Sequence, residues 1–202
     1  MIEYSLKEGF LNEGDVVIFP TDTVYGLSCR LYDNVGINKI LHIKNRSITK
    51  HLAILCDTLV TVSDIAILNE RALTLAHAFW PGPLTLILTS TESHFKKSGQ
   101  KTVGIRIPNH SGAIRLIRQN GPLVTTSVNI SGKEAMTDIN EIKNKFSDVV
   151  DYIYQEEKTN YLNVSSTTVD LTEKEVKVLR EGTITKKEII EVLELTNKEV
   201  EK

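Results

Sequence analysis

Gly14-Asp15-Val16-Val17-Ile18-Phe19-Pro20-Thr21-Asp22-Thr23-Val24-Tyr25-Gly26-Leu27 is the stretch that decides the fold. Val16 to Phe19 reads as a buried apolar strand entered from a Gly-Asp turn. Pro20 has no N–H to offer a ladder, so pairing is expected to end there. Three small hydroxyl or carboxylate side chains follow, then Tyr25 and Gly26. A strand end that emits polar side chains into a loop is where open α/β sheets place ligand sites. Val35 to Ile43 next carries Ile37, Ile40 and Leu41 at helical spacing. Lys44, Arg46 and Lys50 sit at and beyond its end. Such a run of cations beside a hydroxyl-rich loop suits a polyanion such as a nucleoside triphosphate.

Outward from this stretch, strand-like and helix-like segments alternate. Residues 3 to 12 read as a short helix with Leu6, Phe10 and Leu11 inward. Leu52 to Leu55 is a candidate core strand, and Ile65 to Phe79 reads as one helix stopped by Trp80-Pro81-Gly82-Pro83. Leu84 to Leu88, Val103 to Ile107 and Leu123 to Ser127 are strand candidates, with a helix at Gly112 to Asn120. Thr137 or Asp138 can N-cap a helix running to Phe146. Val149 to Ile153, Thr168 to Leu171 and Val176 to Leu179 read as strands. Thr185 and Glu188 form a capping-box pair opening a last helix, and Thr196 to Lys202 is a polar, frayed tail. The alternation argues for α/β architecture; adjacent strands late in the chain argue for a mixed sheet. One domain over 1–195 with a tail over 196–202 is expected.

Bulk properties narrow the function classes. The 202 residues are 41% apolar, enough for one large core, and the net charge of −2 does not indicate a globally basic nucleic-acid binder. Cys29 and Cys56 lack metal or redox spacing and read as two reduced, buried thiols. The five histidines have no zinc-helix spacing, and no metal ligand set is expected. No signal peptide or membrane-length apolar run is visible, so a cytoplasmic protein without a membrane partner is expected.

Chemistry without a phosphate-cradling glycine motif must come from side chains. Lys44, Arg46, Lys50 and the distant Arg180 are the cations available to a nucleotide, though Lys44 equally suits the dipole of its own helix, and Arg180 a solvated pair with Glu181. Thr125 and Ser127 share a strand face, and Asn129 follows in a turn; ordinary turn capping would explain Ser127 and Asn129 as well. Arg106 lies in an apolar strand, where it either needs an anionic partner or faces solvent.

Pro20 to Leu27, Lys44-x-Arg46 and Ser127-Val-Asn129-Ile-Ser131-Gly132 together resemble the YrdC-type threonylcarbamoyl-adenylate synthases. Trp80-Pro-Gly-Pro-Leu-Thr-Leu86, Val103 to Pro108, Ser166 to Asp170 and Leu179-Arg180-Glu-Gly182 match further blocks in family order, over about residues 12 to 185. The resemblance implies a YrdC-like fold: a twisted open mixed sheet flanked by helices and enclosing a deep basic cleft, here of the short, single-domain kind. It implies a nucleotidyltransferase that condenses L-threonine, bicarbonate and ATP to threonylcarbamoyl-AMP and pyrophosphate. The product serves N6-threonylcarbamoyladenosine modification of tRNA adenosine 37. Lys44 and Arg46 would be catalytic. Arg46, Lys50, Thr102, Ser127, Asn129 and Arg180 would bind ATP. Thr23, Arg106, Thr125 and Ser166 would bind L-threonine, Arg106 through its carboxylate. Mg²⁺ would accompany ATP on phosphate oxygens and water, with Asp22 able to reach it through a water. Downstream tRNA threonylcarbamoyl transferase proteins would be partners, and direct tRNA contact is compatible with the cleft.

Departures from the family pattern are Asn45, Ser47 and His51 around Arg46, Ala135 in place of a nucleotide-contacting serine, and Glu181 where proline usually follows the arginine. The rival reading is a non-catalytic RNA-binding module using the same cleft. Carbamoyl transfer, as in hydrogenase-maturation relatives, is disfavoured by chain length.

Overall fold

A computed structural model describes residues 9–45, 52–130, 134–155, 162 and 164–200, the side chains of 196–200 excepted. Among the described residues nine strands form one mixed sheet: β1 (Val17–Phe19), β2 (Gly26–Arg30), β3 (Ala53–Leu55), β4 (Leu84–Thr89), β5 (Thr102–Arg106), β6 (Leu123–Ser127), β7 (Tyr152–Ile153), β8 (Thr167–Asp170) and β9 (Lys177–Arg180). Their order is β7-β1-β2-β6-β3-β5-β4-β8-β9. The pairs β1–β7, β3–β5 and β4–β8 are parallel and the others antiparallel. The helices are α1 (Asn34–Ile43), α2 (Leu59–Ile65), α3 (Glu70–Phe79), α4 (Glu92–Ser98), α5 (Ser111–Asn120), α6 (Ile139–Phe146) and α7 (Lys186–Val200).

Strand alternation assigns the two faces different jobs. One face presents Ile18, Leu27, Cys29 and Val124, on which α1 and α6 pack through Ile40, Ile142 and Phe146. The same face continues through Ile54, Ile105, Leu84, Leu86, Leu88 and Val169 beneath α2, α3 and α7. The opposite face is covered by α5 only over Val17, Phe19, Leu55 and Leu123, where Ala113, Leu116 and Ile117 seat. Beyond α5 that face carries small or hydroxyl residues, and there a cleft opens.

Local chemistry explains most element ends. Asp33 caps α1 by accepting from Gly36 N at 2.9 Å, while its other oxygen accepts from Gly14 N at 2.6 Å. Asp138 caps α6, as the sequence suggests. Thr185 and Glu188 exchange hydrogen bonds in the expected capping box, at 2.8 and 3.2 Å.

Several expectations are corrected. The helix read over Ile65 to Phe79 begins only at Glu70, because Asn69 accepts from Ala72 N and starts α3 afresh; Ile65 ends the separate helix α2 and Ala66 is extended. Residues 26–30, to which the sequence assigns no element, are a central strand. The strand at 149–153 shortens to its last two residues, since 147–149 turn. The short helix α4 was not expected. Gly9 to Asn12 are not helical, and Phe10 is exposed; the rest of the proposed first helix lies outside the described residues. The last helix runs through Val200, into the segment read as a frayed tail. Both cysteines are free and buried, as read; burial pushes the Cys29 thiol up to about 12 and raises that of Cys56 as well.

Candidate active site

The cleft has a volume of about 440 Å³, within the range of small-molecule sites. Thr23, Arg106, Thr125, Ser166, Thr102, Ser127 and Arg180, all named from sequence, line it together. They arrive from the loop after β1 and from β5, β6, β8 and β9, so the sheet collects residues separated by most of the chain. The residues sequence reasoning missed are Thr85, Thr168, Asp170, Tyr25 and Ser165. A hydroxyl alternating with leucines in Leu84-Thr85-Leu86 was the available signal for the first.

Arg106 is the most constrained of these. It is 6% exposed, which rules out the solvent-facing alternative. Its Nε donates to Gly82 O at 2.9 Å, one terminal nitrogen donates to Thr23 Oγ1 at 2.7 Å, and the other is paired with Asp22. Among the described residues, one of its N–H groups on each terminal nitrogen is left over and available to a carboxylate. Burial lowers the guanidinium's pKa; Asp22 opposes that shift and the nearby Arg180 adds to it. Asp22 is therefore Arg106's partner.

The hydroxyls have defined polarity. Thr21 Oγ1 donates to Val24 O at 2.6 Å, so the 3.0 Å contact between Thr21 and Thr23 must have Thr23 as donor. Thr23 also accepts from Arg106, which leaves it a single acceptor lone pair for a ligand. Thr125 Oγ1 accepts from Ser28 at 2.8 Å and donates to Leu123 O at 3.2 Å, so it too offers only acceptance. Ser166 Oγ shares a 2.8 Å hydrogen bond with Thr85 and accepts from Arg180 at 3.2 Å. That pair keeps one O–H free to donate. Arg180 Nε further donates to Ser166 O at 3.0 Å, and burial lowers its pKa. Glu181 turns away, accepting from Lys186 N at 2.9 Å at the start of α7.

Lys44 is buried, and its ammonium donates to Ser127 O at 2.7 Å and to Asn129 Oδ1, which also accepts from Ser127 Oγ at 2.8 Å. The side chain thus reaches across to β6 instead of serving its own helix end. Lys44 and Asn129 stand one step behind the cleft wall and hold Ser127 in it. Arg46, Lys50 and His51 lie outside the described residues, as do Ser47, Ser131 and Gly132. Among the described residues the cleft's basic side chains are Arg106 and Arg180, and its one acidic lining residue is Asp170. Asn45, standing where the family pattern has glycine, adopts φ of 49°, in the left-handed region that asparagine tolerates.

This arrangement has known counterparts. The model of the Sua5–YciO–YrdC family, described as "Telomere recombination", matches residues 9–182. The chain belongs to this family. It is 35% identical over 192 residues to the threonylcarbamoyl-AMP synthase of Pyrococcus abyssi, covering 93% of this chain but only 56% of that protein. It is 32% identical to a putative threonylcarbamoyl-AMP synthase of Mycobacterium leprae, over 91% of this chain and 84% of that one. The crystal structure of P. abyssi Sua5 complexed with L-threonine superposes with a TM-score of 0.82 at 35% identity, over 90% of this chain and 54% of that one. The twisted open α/β sheet expected from sequence is thus the family's. Among the described residues no helix is long and apolar enough to cross a membrane.

Proposed function

We propose that this protein is an L-threonylcarbamoyl-AMP synthase, a nucleotidyltransferase that joins L-threonine, bicarbonate and ATP with release of pyrophosphate. The observation that carries the reading is the convergence of Arg106 and Arg180 in one hydroxyl-lined cleft. Two guanidiniums there fit two anions that must meet, and a relative of the same fold is complexed with L-threonine.

The reaction needs a threonine carbamate oxygen to attack the α-phosphorus as pyrophosphate leaves. Arg106 would take the amino-acid carboxylate on its two remaining N–H groups. Thr23 and Thr125, as acceptors, would hold the amine and hydroxyl hydrogens, and the Ser166–Thr85 pair would donate one hydrogen bond. Arg180, Ser127 and Thr102 would hold the nucleotide, with Arg46 and Lys50 as further cations. Lys44 keeps Ser127 in place. No histidine or cysteine is among the described lining residues, which fits catalysis by positioning and electrostatics.

The described residues include no group of three potential metal ligands. That fits Mg²⁺ held by phosphate oxygens and water, with Asp170 the carboxylate at the cleft wall. The ion would neutralise phosphate charge. The product would supply tRNA adenosine-37 modification, through a downstream threonylcarbamoyl transferase.

The test is to incubate the protein with labelled ATP, L-threonine, bicarbonate and Mg²⁺. Pyrophosphate release that requires threonine and bicarbonate is expected; release independent of threonine overturns the reading.

A further inference from the structure

Asp22 is not among the residues lining the cleft; it stands behind the Arg106 guanidinium. Its Oδ1 pairs with Arg106, and its Oδ2 is buried with no hydrogen-bond partner among the described residues. The carboxylate's charge is therefore committed to Arg106. Arg180 differs: its contacts are the carbonyl and hydroxyl of Ser166, with no acidic partner among the described residues. The cleft thus holds one neutralised and one unneutralised guanidinium, with Ser166 beside the second.

That asymmetry matters because the two substrates are anions of very different charge. Coulomb attraction grows with ligand charge, so two bare guanidiniums would form one continuous site dominated by a polyphosphate. A neutral ion pair with two N–H groups to spare has little net field. It rewards the geometry of a single carboxylate, while the carboxylate behind it repels a polyanion. From this we infer that Asp22 is a positioning residue that assigns the two anions to separate ends of the cleft. It confines Arg106 to the amino-acid carboxylate and leaves the polyphosphate to Arg180. The inference deepens the threonylcarbamoyl-AMP synthase reading and rests on it.

Calorimetric binding of L-threonine to the whole protein, with and without inorganic tripolyphosphate, tests it. In the wild type, tripolyphosphate should leave threonine affinity unchanged. In Asp22→Asn, the unneutralised Arg106 should let tripolyphosphate compete, so that its presence lowers apparent threonine affinity about ten-fold or more. Asp22→Glu should restore the wild-type pattern, which a merely bracing role would not require. Competition already present in the wild type overturns the proposal without any variant having to fold. An Asp22→Asn protein that keeps the wild-type pattern also overturns it, while leaving the functional reading standing. A wild type that does not bind threonine overturns that reading, and this proposal with it.

Discussion

The Lys44 ammonium at the end of α1 donates to the carbonyl oxygen of Ser127 at the end of β6, 83 residues away, at 2.7 Å. Lys44→Met should leave that carbonyl and the Asn129 amide oxygen without their charged donor. Losing hydrogen bonds to a buried charge costs about 1.5–3 kcal/mol each. With two such bonds lost, a destabilisation of about 3–6 kcal/mol in urea unfolding is expected, with threonine-dependent pyrophosphate release reduced. A variant as stable and active as wild type would show the link to be idle.

Arg180→Ala should raise the apparent KM for ATP about ten-fold while threonine affinity changes little, because its partner Ser166 keeps Thr85. Steady-state kinetics with each substrate varied in turn separates the two. A selective loss of threonine affinity would place Arg180 at the other end of the cleft.

Polarity of the hydroxyl set predicts amino-acid selectivity. L-serine lacks only a methyl group and should be disfavoured by about 1–3 kcal/mol. L-valine lacks the hydroxyl, so polar groups of the Thr23, Thr125 and Ser166 set would go unpaired, and it should be rejected more strongly. Competition against labelled threonine gives the order directly. Valine equal to serine would contradict a hydroxyl-reading pocket.

The pairing of positions was the part of the site that the sequence could not show. Hydroxyls on alternate residues of β6 and a lone arginine in β5 are visible in the letters; that Asp22 sits behind Arg106 is not, because the two are 84 residues apart. Elements with strong period or caps were readable, such as α5 and the Thr185–Glu188 box. Strand β2 was not, since Gly26-Leu-Ser-Cys-Arg30 alternates a glycine and a serine with its apolar residues and lies next to a turn-like motif. Ser28 faces Thr125 across the sheet, a contact that only tertiary structure supplies. The break before Asn69 was legible as an N-cap but was masked by apolar residues on both sides.

Stability should fall on acidification through His94. The ring is buried at 1% exposure, shares a 2.9 Å hydrogen bond with Tyr32 Oη, and has its pKa lowered from 6.5 by burial and then by Lys97. The unfolded chain therefore binds a proton at higher pH than the folded one. The neutral-ring stability is fully present above pH 6.5 and is lost as pH falls below it toward the folded value. For a single ring the slope in that window stays below about 1.4 kcal/mol per pH unit. His94→Gln should flatten it in unfolding curves taken at several pH values; an unchanged slope would assign it elsewhere.

Asn45→Gly should stabilise by up to about 1 kcal/mol, and Asn45→Ala should destabilise by a similar amount, since φ there is 49°. Thermal melts of the two variants measure both signs; equal melting temperatures would mean that the backbone relaxes to negative φ.

Gly182 is wedged so closely that a Cβ would lie 2.1 Å from Ser165 O, and Thr167 Oγ1 accepts from the N–H groups of Gly182 and Ile184 at 2.9 and 3.2 Å. These anchors join the cleft wall at Ser166 to the first turn of α7 with no slack between them. Ligand occupancy should accordingly be audible at a distance: amide protons of Gly182, Ile184 and Ile189 should exchange with solvent more slowly when the cleft is filled. The C-terminal helix then serves as a reporter of what happens two strands away.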